Sequence, residues 1–455
     1  MTVADASGAV IPGANLELVE ASTNSLRKAE TASDGSHRFV NLTIGVYKLT
    51  ISKTGYARKV YSSVLVQASQ VSSIAAALPV GEVSEVVSVT GTRTPVLQVS
   101  SNEIGTVVDM KQIQNLPLEG RDLTSFSTLV AGYNGTFNGL PSNDQGSNID
   151  GVIGSSSRMK FSGNTQPAVS PRLENIEEMS IQTDQLSLNS GFGQSSTQLN
   201  FVSKRGSNRF HGSVYEDFRN SGLNANSWFN NAAGVRKNKL ILNDFGGNFG
   251  GPIFHDKLFF FGSFAMSKQP GSFTASNDVF TTAAQQGNFT YSGGMVNVLN
   301  VVNAYNPALP GAVNSQQSAQ LAAINDAVSH GAVTGTSDPN YNQISWNNNS
   351  SVTNYFPGGR LDYVLSDRVR MYLSFLYNKN NQPTSSAANF PGSGFAYQVA
   401  GSSTKNYTTS YGLDFIITPR LINQLKLGYL YDNTQYAPGV KPSYATLPTV
   451  AWAFG

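Results

Sequence analysis

Leu361-Asp362-Tyr363-Val364-Leu365-Ser366-Asp367-Arg368-Val369-Arg370-Met371-Tyr372-Leu373-Ser374-Phe375-Leu376-Tyr377 carries the reading of the fold. Leu361, Tyr363 and Leu365 alternate with Arg360 and Asp362. Ser366-Asp367 then turns the chain, and Val369, Met371, Leu373, Phe375 and Tyr377 resume the alternation. A period of two places one apolar and one polar face on each strand of a hairpin.

The pattern repeats outward. Tyr407, Thr409, Tyr411, Leu413, Phe415 and Ile417 share a face, Thr418-Pro419-Arg420 makes a turn, and Leu425, Leu427, Tyr429 and Tyr431 follow. Earlier, Phe210, Gly212, Val214 and Phe218 oppose His211, Ser213, Asp217 and Arg219. Seven candidate strands result, at 209–219, 239–251, 258–267, 356–365, 368–378, 407–417 and 421–432. Their connections alternate between long (220–238, 268–355, 379–406) and short (252–257, 366–367, 418–420). Strands of about 10 residues with long loops at one end and tight turns at the other are the pattern of a membrane barrel. A secreted β-sandwich with one long insertion is the competing reading.

Composition agrees. Of 455 residues, 40% are hydrophobic and only 13% charged, with 43 Gly, 19 Tyr and 25 Phe. That is too apolar for a disordered chain and too weakly charged for an ordinary soluble one. Thirty basic and 28 acidic residues give a net charge of +2 without a basic stripe, so no nucleic-acid partner is expected. The absence of Cys excludes disulfides, thiolate metal sites and a cysteine nucleophile. No apolar run is long enough for a transmembrane helix. Met1-Thr2-Val3-Ala4-Asp5 is not a signal peptide, and the start reads as entry into the middle of a strand, so either the start is misplaced or the chain is a fragment.

Upstream of the hairpins, residues 1–80 read as a small antiparallel β-sandwich. Turn clusters at Asp5-Ala6-Ser7-Gly8 and Ser33-Asp34-Gly35-Ser36 separate short alternating strands, and Tyr47, Leu49 and Ile51 share one face. Residues 81–100, including Glu85-Val86-Val87-Ser88-Val89-Thr90, read as a linker or edge strand, or as a mobile strand able to pair with a partner's sheet. Residues 101–207 are mixed. Gln112–Leu116 and Thr124–Leu129 suggest short helices, and Met179–Thr183 and Gln198–Val202 suggest strands.

Catalysis finds little support. His37, His211, His255 and His330 form no pair at ligand spacing, there is no G-x-S-x-G elbow, and Glu177 and Glu178 face opposite ways on a strand. Gly246, Gly247, Gly250 and Gly251 lack the Lys-Ser/Thr of a phosphate loop and read as barrel glycines that admit a plug. No enzyme, metal or cofactor is expected.

Six segments in order carry a resemblance. They are Asn115-Leu116-Pro117-Leu118-Glu119-Gly120-Arg121-Asp122-Leu123, Asn148-Ile149-Asp150-Gly151-Val152, Ile176–Met179 with Gly191-Phe192-Gly193, Phe201–Asn208, Arg209–Asn220, and Asn243–Ile253 with Lys257–Phe261. Together they resemble Oar-like TonB-dependent outer-membrane receptors, and residues 1–80 resemble the carboxypeptidase regulatory-like (prealbumin-like, carbohydrate-binding-like) domain that precedes the plug in that family.

The resemblance implies a mainly β chain. A prealbumin/Ig-like sandwich (1–80) leads through a TonB-box-like linker (81–100) to an α+β plug (101–207), then to the first seven strands of a large antiparallel transmembrane β-barrel (208–455). Barrels of this kind carry about 22 strands around a plug, which seven cannot close, so the chain is expected to be an N-terminal fragment of a longer protein. It further implies gated import across the outer membrane. Glu85, Val86, Val87, Ser88, Val89 and Thr90 would be the TonB box, engaged in the periplasm by a TonB-type energy-transducing protein through strand addition. Leu116, Pro117, Gly120, Arg121, Asp150 and Gly151 would be plug-motif residues; for Arg121 and Asp150, structural ties inside the lumen are the simpler role. The imported ligand is an oligosaccharide, a peptide or a siderophore-like molecule. Two alternatives stay open: a surface adhesion protein on the same barrel, and a secreted carbohydrate-binding β-protein.

Overall fold

The computed structural model describes residues 1–68, 71–81, 86–89, 105–108, 121–134, 137, 145–155, 167–183, 197–309, 311–384, 391, 400–418 and 421–436. Glu85, Thr90, Leu116, Pro117, Gly120, the expected helix at Gln112–Leu116 and the Gly191-Phe192-Gly193 segment lie outside them.

The N-terminal domain contains Thr2–Asp5 (β1), Asn15–Glu20 (β2), Leu26–Glu30 (β3), Gly45–Ser52 (β4), Arg58–Val66 (β5) and Ala75–Leu78 (β6), and Val86–Val89 (β7) joins its sheet. The sheet order is β3-β2-β4-β5-β7, with β1 and β6 paired separately. Tyr47, Leu49 and Ile51 do share a face, and they meet Leu16, Leu18, Val3 and Leu78 in one core. Each such side chain contributes about 1.5–3 kcal/mol on burial. The domain is not wholly antiparallel: β1–β6 and β5–β7 are parallel pairs. Both pairs join strands separated by long connections, which is what parallel pairing requires.

The plug is a five-stranded mixed sheet. Gly105–Val108 (β8), Gln145–Ile149 (β9), Val152–Ile153 (β10), Ile176–Gln182 (β11) and Thr197–Ser203 (β12) lie in the order β10-β9-β12-β11-β8. A 3-10 helix, Leu123–Leu129, is capped by Asp122, whose carboxylate accepts from the Thr124 N–H. Leu123 and Phe126 from this helix pack on Ile149, Met179, Ile181, Leu199 and Phe201.

The rest is one antiparallel wall. His211–Asn220 (β13), Ile241–Phe254 (β14) and Leu258–Phe280 (β15) run side by side. Asn288–Tyr291 (β16) and Gly294–Asn297 (β17) form a separate hairpin, and Ala332–Gly335 (β18) flanks Tyr341–Tyr355 (β19). Gly358–Ser366 (β20), Val369–Thr384 (β21), Ala400–Thr418 (β22) and Leu421–Tyr436 (β23) complete the wall. β19 and β20 pair with β15 in one unbroken register, from Leu258↔Tyr363 to Phe280↔Tyr341, so they act as one strand interrupted at Phe356-Pro357. The wall therefore has seven strands at the expected places, and several are longer at their outer ends. Residues expected in a loop at 268–280 and 341–355 are paired strand, which leaves 281–340 as the outer insertion.

Alternation sorts the two faces. Leu361, Tyr363, Leu373, Phe375, Phe415, Ile417, Leu425, Leu427 and Tyr429 are exposed on the outside, while their neighbours Arg360, Ser374, Thr408 and Ser410 are buried against the plug. So wide an apolar exterior suits lipid and not water. Among the described residues no helix is long and apolar enough to cross a membrane, so crossing falls to the strands.

Candidate functional site

The plug is tied to the wall through two buried ionic networks. In the first, Asp150 occupies a left-handed turn (φ 52°) ahead of Gly151 (φ 82°). A short polar side chain tolerates that conformation better than most. Its carboxylate accepts from the Ser203 N–H (2.9 Å) and Oγ–H (2.6 Å) within the plug, and from Ser374 Oγ–H (2.7 Å) and Arg360 Nη1–H (3.1 Å) of the wall. Its backbone carbonyl accepts from the Tyr372 hydroxyl at 2.8 Å. Arg360 in turn pairs with Asp362 (2.9 Å) and stacks on the Tyr372 ring, 4.3 Å from its centroid.

The second network runs through Arg121 and Arg172 of the plug. Arg121 Nε donates to Glu174 (2.6 Å) and its Nη1 to Asp217 of β13 (3.1 Å), while the guanidinium lies 3.7 Å from the Tyr215 ring centroid. Arg172 bridges the same Glu174 (3.2 Å) to Asp244 of β14 (2.7 Å), and Tyr215 also donates to Asp244 at 2.9 Å. Glu174, Arg172 and Asp244 are all buried. Each charge has an opposite partner, which a charge out of water requires.

Further along the wall, Asn406 donates to the Ala168 carbonyl at 2.6 Å. At Gly428 of β23 any Cβ would run into Val152 of the plug. The glycines expected to admit the plug behave differently: a Cβ on Gly246 would strike the Phe264 carbonyl oxygen at 2.5 Å, and one on Gly251 would strike the Phe210 ring. They relieve crowding between neighbouring strands, and Gly428 marks the plug's close approach. Between plug and wall is a cavity of about 300 Å³, lined by Asp122, Ser170, Arg172, Arg219, Asn354 and Asn378 among others.

The N-terminal domain docks at the end with the short turns. Asn24 donates to Asp256 (3.0 Å) in the β14–β15 turn, and Asn208 N–H donates to the Ser22 carbonyl (2.9 Å). Arg205 pairs with Glu20 at 2.5 Å and also donates to the Ile44 carbonyl, and Arg370 donates to Ser25 Oγ. The Ala68 N–H reaches Glu178 of the plug at 2.6 Å. Burial works against the charge on Arg205, but Glu20 and Glu177 outweigh it and raise its pKa. Arg27 shows the opposite balance, as burial and then the nearby Arg370 push it down to about 10.

Of the expected site residues, Arg121, Asp150 and Gly151 lie at the plug–wall seam, Arg121 and Asp150 in separate networks. Val86, Val87, Ser88 and Val89 are well away from them, pairing in parallel with Arg58, Lys59, Val60 and Tyr61 of β5. Sequence reasoning missed Arg172, Glu174, Asp244 and Arg360. Their signals are slight: Arg172 and Glu174 stand just before the Ile176–Met179 motif, and Asp244 lies inside the Asn243–Ile253 motif. Among the described residues no three His, Asp or Glu side chains gather as metal ligands.

Residues 2–79 match the carboxypeptidase regulatory-like domain, and residues 202–451 match the outer membrane beta barrel domain. The chain is 28% identical over 255 residues to the TonB-dependent transporter Oar of Myxococcus xanthus, a stretch covering 52% of this chain and 23% of that protein. Among solved structures, the siderophore receptor PirA of Acinetobacter baumannii is similar at 14% identity and a TM-score of 0.41, over 72% of this chain and 40% of that one. The outer membrane transporter YddB of Escherichia coli is similar at 12% identity and a TM-score of 0.42, over 73% and 39%. The chain thus spans well under half the length of these relatives, which are transporters and receptors, not enzymes. A secreted carbohydrate-binding protein is set aside by the barrel match. With more than half its length in that match, the chain belongs to the outer membrane beta barrel domain family, is homologous to the TonB-dependent transporter Oar, and resides in the outer membrane.

Proposed function

We propose that the protein is a TonB-dependent receptor that imports a ligand by displacing its plug. The observation that carries this reading is the chemistry of the plug–wall seam. Asp150–Arg360, Arg172–Asp244 and Asn406–Ala168 are charged or polar contacts, for which water is a ready alternative partner. A polar stopper beside a polar cavity can shift without exposing a large apolar face. The ligand class is a polar solute, an oligosaccharide, peptide or siderophore-like molecule, able to pass a seam lined by Asn354, Asn378 and Arg219.

In this reading Glu85 to Thr90 are the TonB box, and the N-terminal domain faces the periplasm. Pairing with β5 keeps Val86–Val89 as an edge strand until a TonB-type protein captures them by strand addition. A pull on this segment reaches the plug because residues 90–104 lead directly into β8, a strand of the plug sheet. Any cysteine elsewhere in the full-length protein is replaced first, and Val87→Cys then introduces a single cysteine into a stretch of 455 residues that has none. In the full-length protein, that cysteine is expected to form a disulfide with a cysteine-bearing periplasmic domain of TonB, while Val64→Cys in β5 does not. Equal crosslinking from both positions, or from neither, would remove the box assignment. Deleting 85–90 is expected to abolish uptake and leave surface binding intact.

One feature favours an adhesion role on the same barrel. The described residues of the outer insertion 281–340 include helices and a hairpin, and Tyr291, Met295, Val301 and Tyr305 are exposed on it. Uptake that survives deletion of 85–90 would support that reading instead.

A further inference from the structure

The loop joining β13 to β14, residues 221–240, displays an amphiphilic surface on the outside of the wall. Leu223 is 94% exposed, Trp228 74% and Phe229 76%, and the two rings meet edge to face with centroids 5.2 Å apart. Arg236, Lys237 and Lys239 follow within four positions, all exposed, and no acidic residue occurs from Ser221 to Asn243. In a chain only 13% charged, this is a local excess of cations.

The display is held in place. Ser227 caps the short helix Trp228–Ala232, accepting from the Asn230 N–H at 3.1 Å. Thr274 Oγ bonds to Asn230 (3.0 Å) and Asn238 (2.9 Å), Asn347 donates to the Arg236 carbonyl (3.0 Å), and Lys239 N–H donates to Ser272 Oγ (2.7 Å).

Strand parity decides which side this is. Ser267, Gln269 and Asn354 line the cavity against the plug, so odd positions of β15 and even positions of β19 face the lumen. Further out on that same face, Phe273, Ala275 and Trp346 pack under Ile324 and Val328 of helix Ser315–Ser329. Ser272, Thr274 and Asn347 have the opposite parity. The loop they hold therefore lies on the lipid side, beyond the outward Val214, Phe218 and Phe264, at the end away from the N-terminal domain. Lys268 is exposed on the same outward face.

We propose that this loop docks a phosphorylated glycolipid of the outer leaflet. Leu223, Trp228 and Phe229 enter the boundary between acyl chains and headgroup, where aromatic rings are favoured, and Arg236, Lys237 and Lys239 pair with the phosphates. Two observations select this occupant: three exposed cations in a segment that carries no acidic residue, outnumbering Glu216 and Asp278 on the outward face of the adjoining strands, and the continuity of the apolar patch with the lipid-facing band. An imported solute would meet the other face of the wall. The inference rests on outer-membrane residence with the N-terminal domain on the periplasmic side, and it does not require ligand import.

The test is titration of the full-length protein in non-ionic detergent with lipopolysaccharide, dephosphorylated lipopolysaccharide and phosphatidylglycerol micelles. The combined Arg236→Gln, Lys237→Gln and Lys239→Gln variant is expected to weaken lipopolysaccharide binding about ten-fold or more. Trp228→Ala with Phe229→Ala is expected to weaken it too, and the dephosphorylated lipid should bind wild type as poorly as the charge variant. Faster gel migration before boiling identifies variants that remain folded. Equal binding by wild type and the charge variant, or equal binding of all three lipids, would overturn the proposal. So would self-association of the chain that the aromatic variant abolishes while lipopolysaccharide binding stays unchanged.

Discussion

Arg360 of the wall and Asp150 of the plug meet at 3.1 Å, with side chains 7% and 2% exposed. Asp362, Ser203, Ser374 and Tyr372 complete the surroundings of the pair. Removing one partner of a buried pair leaves an uncompensated charge, at a cost of about 3–5 kcal/mol. Asp150→Asn keeps a residue that tolerates φ 52° and removes only the charge. It is expected to loosen the plug, read as faster proteolysis within 121–203 of the full-length protein and as larger ion leak across planar bilayers. A double-mutant cycle with Arg360→Gln should show strong coupling, and additive effects would place the tie elsewhere.

Arg172 should matter more to plug seating than the Arg121–Asp217 contact. It is buried between Glu174 and Asp244, whereas the Asp217 partner of Arg121 is 54% exposed and water can replace it. Arg172→Gln is expected to destabilise plug seating by about 3 kcal/mol or more. Asp217→Asn should cost no more than about 1 kcal/mol. Chemical denaturation followed by plug proteolysis ranks them, and a reversed order would refute this account.

Gly428→Ala introduces a methyl group where Val152 already sits. Overpacking of this kind costs about 1–3 kcal/mol. Val152→Ala in the same chain should recover most of the loss. The Gly251→Ala change, which meets Phe210 instead, should gain nothing from Val152→Ala.

Docking of the N-terminal domain should depend on Arg205 and Glu20, at 2.5 Å. Glu20→Gln leaves Arg205 with Glu177 at 3.8 Å as its remaining counter-charge. Cleavage of the 81–104 segment by added protease is expected to accelerate, with the core of the N-terminal domain still resistant. Unchanged cleavage would show that Asn24–Asp256 and Ser25–Arg370 hold the domain unaided.

Much of this architecture is legible in the sequence, because lipid enforces it. The outward residues in the middle of β20 to β23 are mostly apolar, so Leu361 to Tyr431 announce strands, faces and turns. The outer halves of β15 and β19 keep an apolar face only in part: Phe273, Ala275, Val279, Ile344 and Trp346 pack with helix residues Ile324 and Val328, not with lipid. Polar stretches such as Asn347-Asn348-Asn349-Ser350 interrupt the alternation, so those halves read as loop. The ionic seam was hidden for a related reason. Arg360 and Asp244 occupy the polar face of an amphipathic strand, where a residue bound to the plug looks like one bound to water. Asp150 and Arg121 stood out only through turn and motif context, and the pairing of Val86–Val89 with β5 joins segments that no local pattern connects.

The polar seam has a thermodynamic consequence. Exposing apolar surface raises heat capacity and polar surface lowers it. Parting Arg172 from Asp244, Arg360 from Asp150 and Asn406 from Ala168 exposes mostly the second kind, with Leu376 and Leu430 contributing a little of the first. The two contributions offset each other, so the free energy of unseating the plug changes almost linearly with temperature. A stopper built this way has no downturn in stability at low temperature, whereas one seated on an oily face would loosen on cooling.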